Sequence, residues 1–190
     1  GEKKIFAPYL VKVNDMDIKL QIGGTIDRVD IKGDTINIVD YKTGSPETKA
    51  TVSLDDIFAC KAKTAGNRLQ AFLYSFALDE IIKGGEEIPA GSDLAWINDV
   101  KQKGVRRVSP VLLYVKDVKS SDSKDPRSER EKCIIELEKV PVVDISMLKD
   151  EFLKRIDDVV YEIFDIDKPF TFVQDKRKCE RCNYRDICGR

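Results

Sequence analysis

A chain of 190 residues has room for one domain with a sizeable core and not for a second large one. It is 42% hydrophobic and 35% charged with a formal net charge of -1, a globular composition without the overall positive charge of a nucleic-acid binder, so contact with phosphate would rest on local basic patches. Histidine is absent, which excludes Ser-His and Cys-His nucleophilic catalysis and His-containing zinc sites and leaves carboxylates, lysines and a bound metal for any chemistry. No apolar run approaches the roughly 20 residues of a transmembrane helix, and Gly1-Glu2-Lys3-Lys4 lacks the apolar stretch of a signal peptide. The expected location is the cytoplasm, with no membrane partner.

In chain order, strands are predicted over Pro8 to Asn14, Asp17 to Ile22, Thr25 to Lys32 and Thr35 to Lys42, an antiparallel meander punctuated by Asn14-Asp15, Gly23-Gly24 and Gly33-Asp34. From Gly66-Asn67, apolar residues Leu69, Phe72, Leu73, Phe76, Ala77, Leu78, Ile81 and Ile82 recur at helical spacing on a mostly buried helix that Gly84-Gly85 would cap. Strand-like runs over Val108 to Val115 and Cys133 to Val140 flank Lys116 to Lys132, a Ser-rich charged stretch that reads as a mobile surface loop. A last helix is predicted over Asp144 to Phe164 with Asp144 as its N-cap. Residues 1–190 thus form a single α/β domain with a central mixed sheet flanked by helices, ending in a cysteine-bearing tail over 173–190.

The Gly33-Asp34 turn suits a two-residue hairpin loop with Gly at its first central position. It pairs Lys32 with Thr35, and in that register Ile31 faces Ile36, Val29 faces Ile38 and Asp27 faces Asp40, all on one side because the strand period is two. A one-residue slip would set Val29 and Ile31 against polar Asn37 and Thr35. Opposed carboxylates repel, and Lys42, on the same face, brings one positive charge. A divalent ion is the natural remaining partner: Mg²⁺ or Mn²⁺ takes one or two carboxylates, with the Tyr41 backbone carbonyl a candidate further ligand, and keeps waters for reaction. Asp27, Asp40 and Lys42 are therefore the candidate catalytic residues, Lys42 positioning water or stabilising developing negative charge.

Gly24-Thr25-Ile26-Asp27-Arg28-Val29-Asp30 followed by Val39-Asp40-Tyr41-Lys42-Thr43-Gly44 resembles the RecB-like branch of the PD-(D/E)XK nucleases. Gln70-Ala71-Phe72-Leu73-Tyr74 looks like that branch's QxxxY motif, with Gln70 and Tyr74 on one helix face. Cys179-x2-Cys182-x5-Cys188 is similar to the C-terminal part of the iron–sulfur staple of AddB-type and CRISPR-associated RecB-like exonucleases. The resemblance, spanning residues 24 to 188, implies a restriction-endonuclease-like fold and a metal-dependent deoxyribonuclease. It further implies that Gln70 and Tyr74 contact DNA or brace the site, and that Cys179, Cys182 and Cys188 hold part of a 4Fe-4S cluster. Implied partners are single-stranded DNA and a helicase domain or subunit in recombination and repair. The alternative is a stand-alone or CRISPR-associated exonuclease, and a third reading is a catalytically silent, cluster-stabilised DNA-binding module. The upstream His or Glu of the pattern and a fourth cysteine are not evident. The expectation is a C-terminal fragment, the lone Gly1 a tag remnant, without an intact cluster of its own.

The plainer readings of the same residues are solvated acids for Asp27 and Asp40, ordinary polar groups at a helix edge for Gln70 and Tyr74, and structural zinc for the tail thiolates, which would need a fourth ligand. Cys60 and Cys133 read as small hydrophobes, Cys60 with the option of completing a tail site. Lys176, Arg177, Lys178, Arg181, Arg185 and Arg190 fit a solvated basic tail as well as a phosphate-binding patch.

Overall fold

The computed structural model describes residues 3–46, 51–85, 87–115, 133–169, 171, 179–180 and 182–189. Two long strands, β1 (Lys3–Val13) and β2 (Met16–Ile26), form an antiparallel hairpin closed at Asn14, which takes the left-handed φ of 52° that Asn tolerates. β2 leads through a bend at Asp27 into β3 (Arg28–Lys32), which pairs antiparallel with β4 (Thr35–Lys42). The turn between them sets Gly33 at φ 60°, and the ladder runs from Lys32↔Thr35 to Arg28↔Val39, the register selected by the hydrophobic pattern.

The chain then passes through α1 (Leu54–Phe58), α2 (Ala65–Lys83) and α3 (Trp96–Gln102) before β5 (Arg107–Tyr114) pairs parallel with β4. β3, β4 and β5 thus make the central mixed sheet, with β4 in the middle and its residues from Ile36 to Asp40 all buried. A short hairpin, β6 (Glu136–Leu137) with β7 (Val140–Pro141), and a 3-10 turn at Ile145–Leu148 lead into α4 (Lys149–Phe164).

α2 is buried on several sides because the sheet covers one flank and α1 and α4 cover others. Phe152 of α4 is fully buried, with Phe58, Phe72 and Phe76 at ring-centroid distances of 5.7, 6.1 and 6.1 Å. Asp144 caps the 3-10 turn, accepting from the backbone N–H of Ser146, whereas α4 starts later than predicted, at Lys149, with Leu148 before it and no side-chain cap.

Several elements differ from the sequence reading. β1 begins at Lys3, and β2 continues through Gly23-Gly24 instead of stopping there. A Cβ on Gly23 would lie 1.9 Å from the Ile5 carbonyl oxygen, and one on Gly24 would lie 2.2 Å from the Tyr74 ring, so these glycines admit close neighbours inside a strand. α2 incorporates Gly66 and Asn67 and ends at Gly84 in a φ -61° conformation, not the left-handed cap. Residues 133–140 are not one strand: Ile134 makes an isolated bridge to Val111, and the chain reverses at Glu138 and Lys139, both at positive φ without a glycine to signal it. The short α1, with Ser53 and Asp56 as a capping box, and α3 were not anticipated. The proposed loop over Lys116 to Lys132 lies outside the described residues.

Candidate active site

The bend at Asp27 makes the meander's acids converge. Asp27 precedes the first ladder pair and so is not a cross-strand partner of Asp40 in the strict sense; instead its Oδ2 accepts the Tyr41 backbone N–H at 2.9 Å. That bond fastens the carboxylate to the backbone between Asp40 and Lys42, and its charge is felt by Asp40.

Asp40 is buried, and burial pushes its carboxyl above the usual carboxylate range, countered by hydrogen-bonding and charge contributions from Lys42 and reinforced by Asp27's negative charge. Its Oδ2 lies 2.5 Å from Lys42 Nζ. The contact pairs this buried oxygen with the ammonium in a charge-assisted interaction. Lys42 Nζ in turn donates to Gln70 Oε1 at 2.8 Å, and Gln70 Nε2 donates to the Tyr74 hydroxyl at 2.7 Å. The Tyr74 ring occupies the space where Gly24 lacks a Cβ.

α2 therefore reads the sheet through one stripe. Asn67, Gln70 and Tyr74 follow each other at helical spacing: Asn67 donates to Tyr114 of β5 at 3.4 Å, Gln70 meets Lys42 of β4, and Tyr74 meets Gly24 of β2. Asp27, Asp40, Lys42, Gln70 and Tyr74 are thus brought together, each on the element where sequence reasoning put it except Asp27, which is in the bend. Asn67 and Tyr114 were missed. The available signal was a polar residue three positions before Gln70, on the helix face that Gln70 and Tyr74 share.

The chain's match to a family model decides its kinship: the model of the PD-(D/E)XK nuclease superfamily covers residues 2–189. The chain belongs to the PD-(D/E)XK nuclease superfamily. Members of this superfamily are metal-dependent phosphodiester hydrolases, and the mixed sheet flanked by helices is the fold expected of them. No curated protein and no solved structure matches the chain.

Divalent ions such as Mg²⁺ are general in PD-(D/E)XK nucleases, and the residues present fit one. The donors are hard oxygens: Asp27 has one oxygen beyond that bound to Tyr41 N–H, and Asp40 has one beyond that facing Lys42. Two carboxylates suffice for an ion that keeps several waters, although no cluster of three or more His, Cys, Asp or Glu side chains is placed to hold a metal among the described residues.

The tail cysteines are not gathered in that way. Cys179 is half-buried, Cys182 and Cys188 are exposed, and all three are free thiols, with the Cys182 N–H donating to the Cys179 carbonyl at 3.2 Å and the Cys188 N–H to the Tyr184 carbonyl at 3.0 Å. Cys60 is corrected: it is exposed at φ 53° beyond the end of α1, not a core hydrophobe, while Cys133 is half-buried. Of the tail's basic residues only Arg185 lies among those described. No helix among the described residues is long and apolar enough to cross a membrane.

Proposed function

We propose that this PD-(D/E)XK domain is a Mg²⁺- or Mn²⁺-dependent DNA exonuclease of the RecB-like type, with Asp27 and Asp40 as metal-holding carboxylates and Lys42 as its catalytic cation. The observation that carries the reading is the chain Asp40–Lys42–Gln70–Tyr74, which fixes an ammonium against a buried carboxylate that also feels the negative charge of Asp27. Asp27, Asp40 and the Tyr41 carbonyl would hold a divalent ion, which when bound would supply positive charge at the phosphate and acidify a water. Lys42, held between Asp40 and Gln70, keeps a positive charge where negative charge develops as water adds to phosphorus and the ester oxygen leaves. Gln70 and Tyr74 act through Lys42 and are positioning residues.

The substrate favoured is single-stranded DNA delivered by a helicase domain or subunit during recombination and repair, on the motif resemblance to AddB-type nucleases. Cys179, Cys182 and Cys188 would give three thiolates of a 4Fe-4S cluster, completed by a fourth from elsewhere in the protein. A stand-alone or CRISPR-associated exonuclease is the second reading, favoured by the same cysteine spacing.

The test is cleavage of end-labelled single- and double-stranded DNA with Mg²⁺, Mn²⁺ or EDTA, by the wild type, Asp40→Asn and Lys42→Ala. Metal-dependent cleavage that falls more than ~100-fold in both variants is expected. Cleavage that survives EDTA and both substitutions would rule the mechanism out.

A further inference from the structure

β5 brings an aromatic residue to the site that the mechanism above does not use. Lys42 and Tyr114 are in-register partners of the parallel β4–β5 pair, and the Val115 N–H donates to the Lys42 carbonyl at 3.0 Å, so the pairing holds to the end of both strands. Partners in a parallel ladder project to the same side of the sheet, which places Tyr114 beside Lys42, with Leu112 beside Asp40 one step back. Leu112 is buried, as a residue filling the core should be, whereas Tyr114 is only half-buried and packs against the core. Its hydroxyl accepts from Asn67 Nδ2 at 3.4 Å, one helical turn before the Gln70 that holds Lys42. An accepting hydroxyl still has its own proton to give. The site is thus walled on its β5 side by a partly open aromatic ring, tethered by an amide.

We infer that Tyr114 is a substrate-positioning residue whose ring stacks on the unpaired nucleotide next to the scissile phosphate. A nucleobase offers a π-face of any sequence to such a ring, but only when it is not paired and stacked in a duplex. A Tyr at this place selects for strand ends or single strands without reading sequence. The inference rests on the assignment of Asp40 and Lys42 as the centre, because only then does a nucleotide lie against β5.

Steady-state cleavage of a single-stranded oligonucleotide separates binding from chemistry. Tyr114→Leu raises KM about tenfold and leaves kcat within about twofold, whereas Tyr114→Phe, which keeps the ring, stays near wild type in both. A strand carrying 2-aminopurine beside the cleavage site loses fluorescence on binding wild type and Tyr114→Phe, and keeps it with Tyr114→Leu. An unchanged KM for Tyr114→Leu, or no quenching by the wild type at any 2-aminopurine position, overturns the inference. A purely structural Tyr114 would instead lower Tm in Tyr114→Leu without separating KM from kcat, which also overturns it. Full cleavage by Asp40→Asn would overturn the assignment of the centre itself, whatever Tyr114 does.

Discussion

The weak point of the site, physically, is the rotational freedom of one amide. Gln70 can serve Lys42 only with its oxygen turned toward the ammonium, and the Tyr74 hydroxyl enforces this by accepting from the amide nitrogen at 2.7 Å. Tyr74→Phe keeps the ring against Gly24 and removes the acceptor, so the fold should stand while Lys42 loses its fixed partner. A single neutral hydrogen bond is worth about 1 kcal/mol net, which corresponds to a fall of roughly fivefold in kcat with Tm shifted little. A rate equal to wild type in single-turnover cleavage would show that Gln70 needs no such restraint. Much of this arrangement was legible in the sequence: the register of β3 and β4 followed from Val29, Ile31, Ile36 and Ile38, and the spacing of Gln70 and Tyr74 placed them on one helix face. What was not legible was the bend at Asp27, because a strand pattern carries no mark of where pairing stops, and the place of Tyr114, because the partner of a parallel strand more than 60 residues away leaves no local trace.

Among the elements, α2 has the least ordinary sequence, with Asn67, Gln70 and Tyr74 facing strands while Phe72 and Phe76 meet Phe152 of α4. The second set explains why α4 can hold the helix in place. Phe152 touches three aromatic rings from α1 and α2 and has no exposed surface, so Phe152→Ala should cost about 3–5 kcal/mol. Chemical denaturation would show this as a lower midpoint with an unchanged slope; a loss under 1 kcal/mol would mean that the α4 contact does not fasten α2. Periodicity revealed α2 and α4 because their apolar residues recur over many turns. It missed α1, at five residues, and the β6–β7 hairpin, whose strands are two residues each and whose turn uses Glu138 and Lys139 in place of glycine. Gly23 and Gly24 misled for a related reason: they mark where another chain segment comes close, a signal identical in sequence to a turn.

At the scale of the whole molecule, two buried acids set part of the response to pH. Asp79, in α2, is buried beside the half-exposed Lys83, and burial holds its carboxyl above the usual range despite that ion pair. A carboxyl raised in the folded state binds its proton more tightly there than in the unfolded chain, so its contribution favours folding below the unfolded value of about 4 and is lost as pH rises through the folded value. Asp79→Asn mimics the protonated form and leaves Lys83 solvated, so it should raise Tm at pH 7 and lose that advantage near pH 3. Calorimetry at the two pH values decides it, and a variant less stable at pH 7 would show that the ion pair outweighs burial. The parallel pairing of β4 with β5 also orders events in time. The carboxylates and Lys42 are made early, but β5 cannot take its place beside them until the segment between has crossed over the sheet, and Phe152 comes later still. On the ribosome, the acids and lysine therefore emerge before the strand and the ring that brace them, so bracing waits until Phe152 has been made.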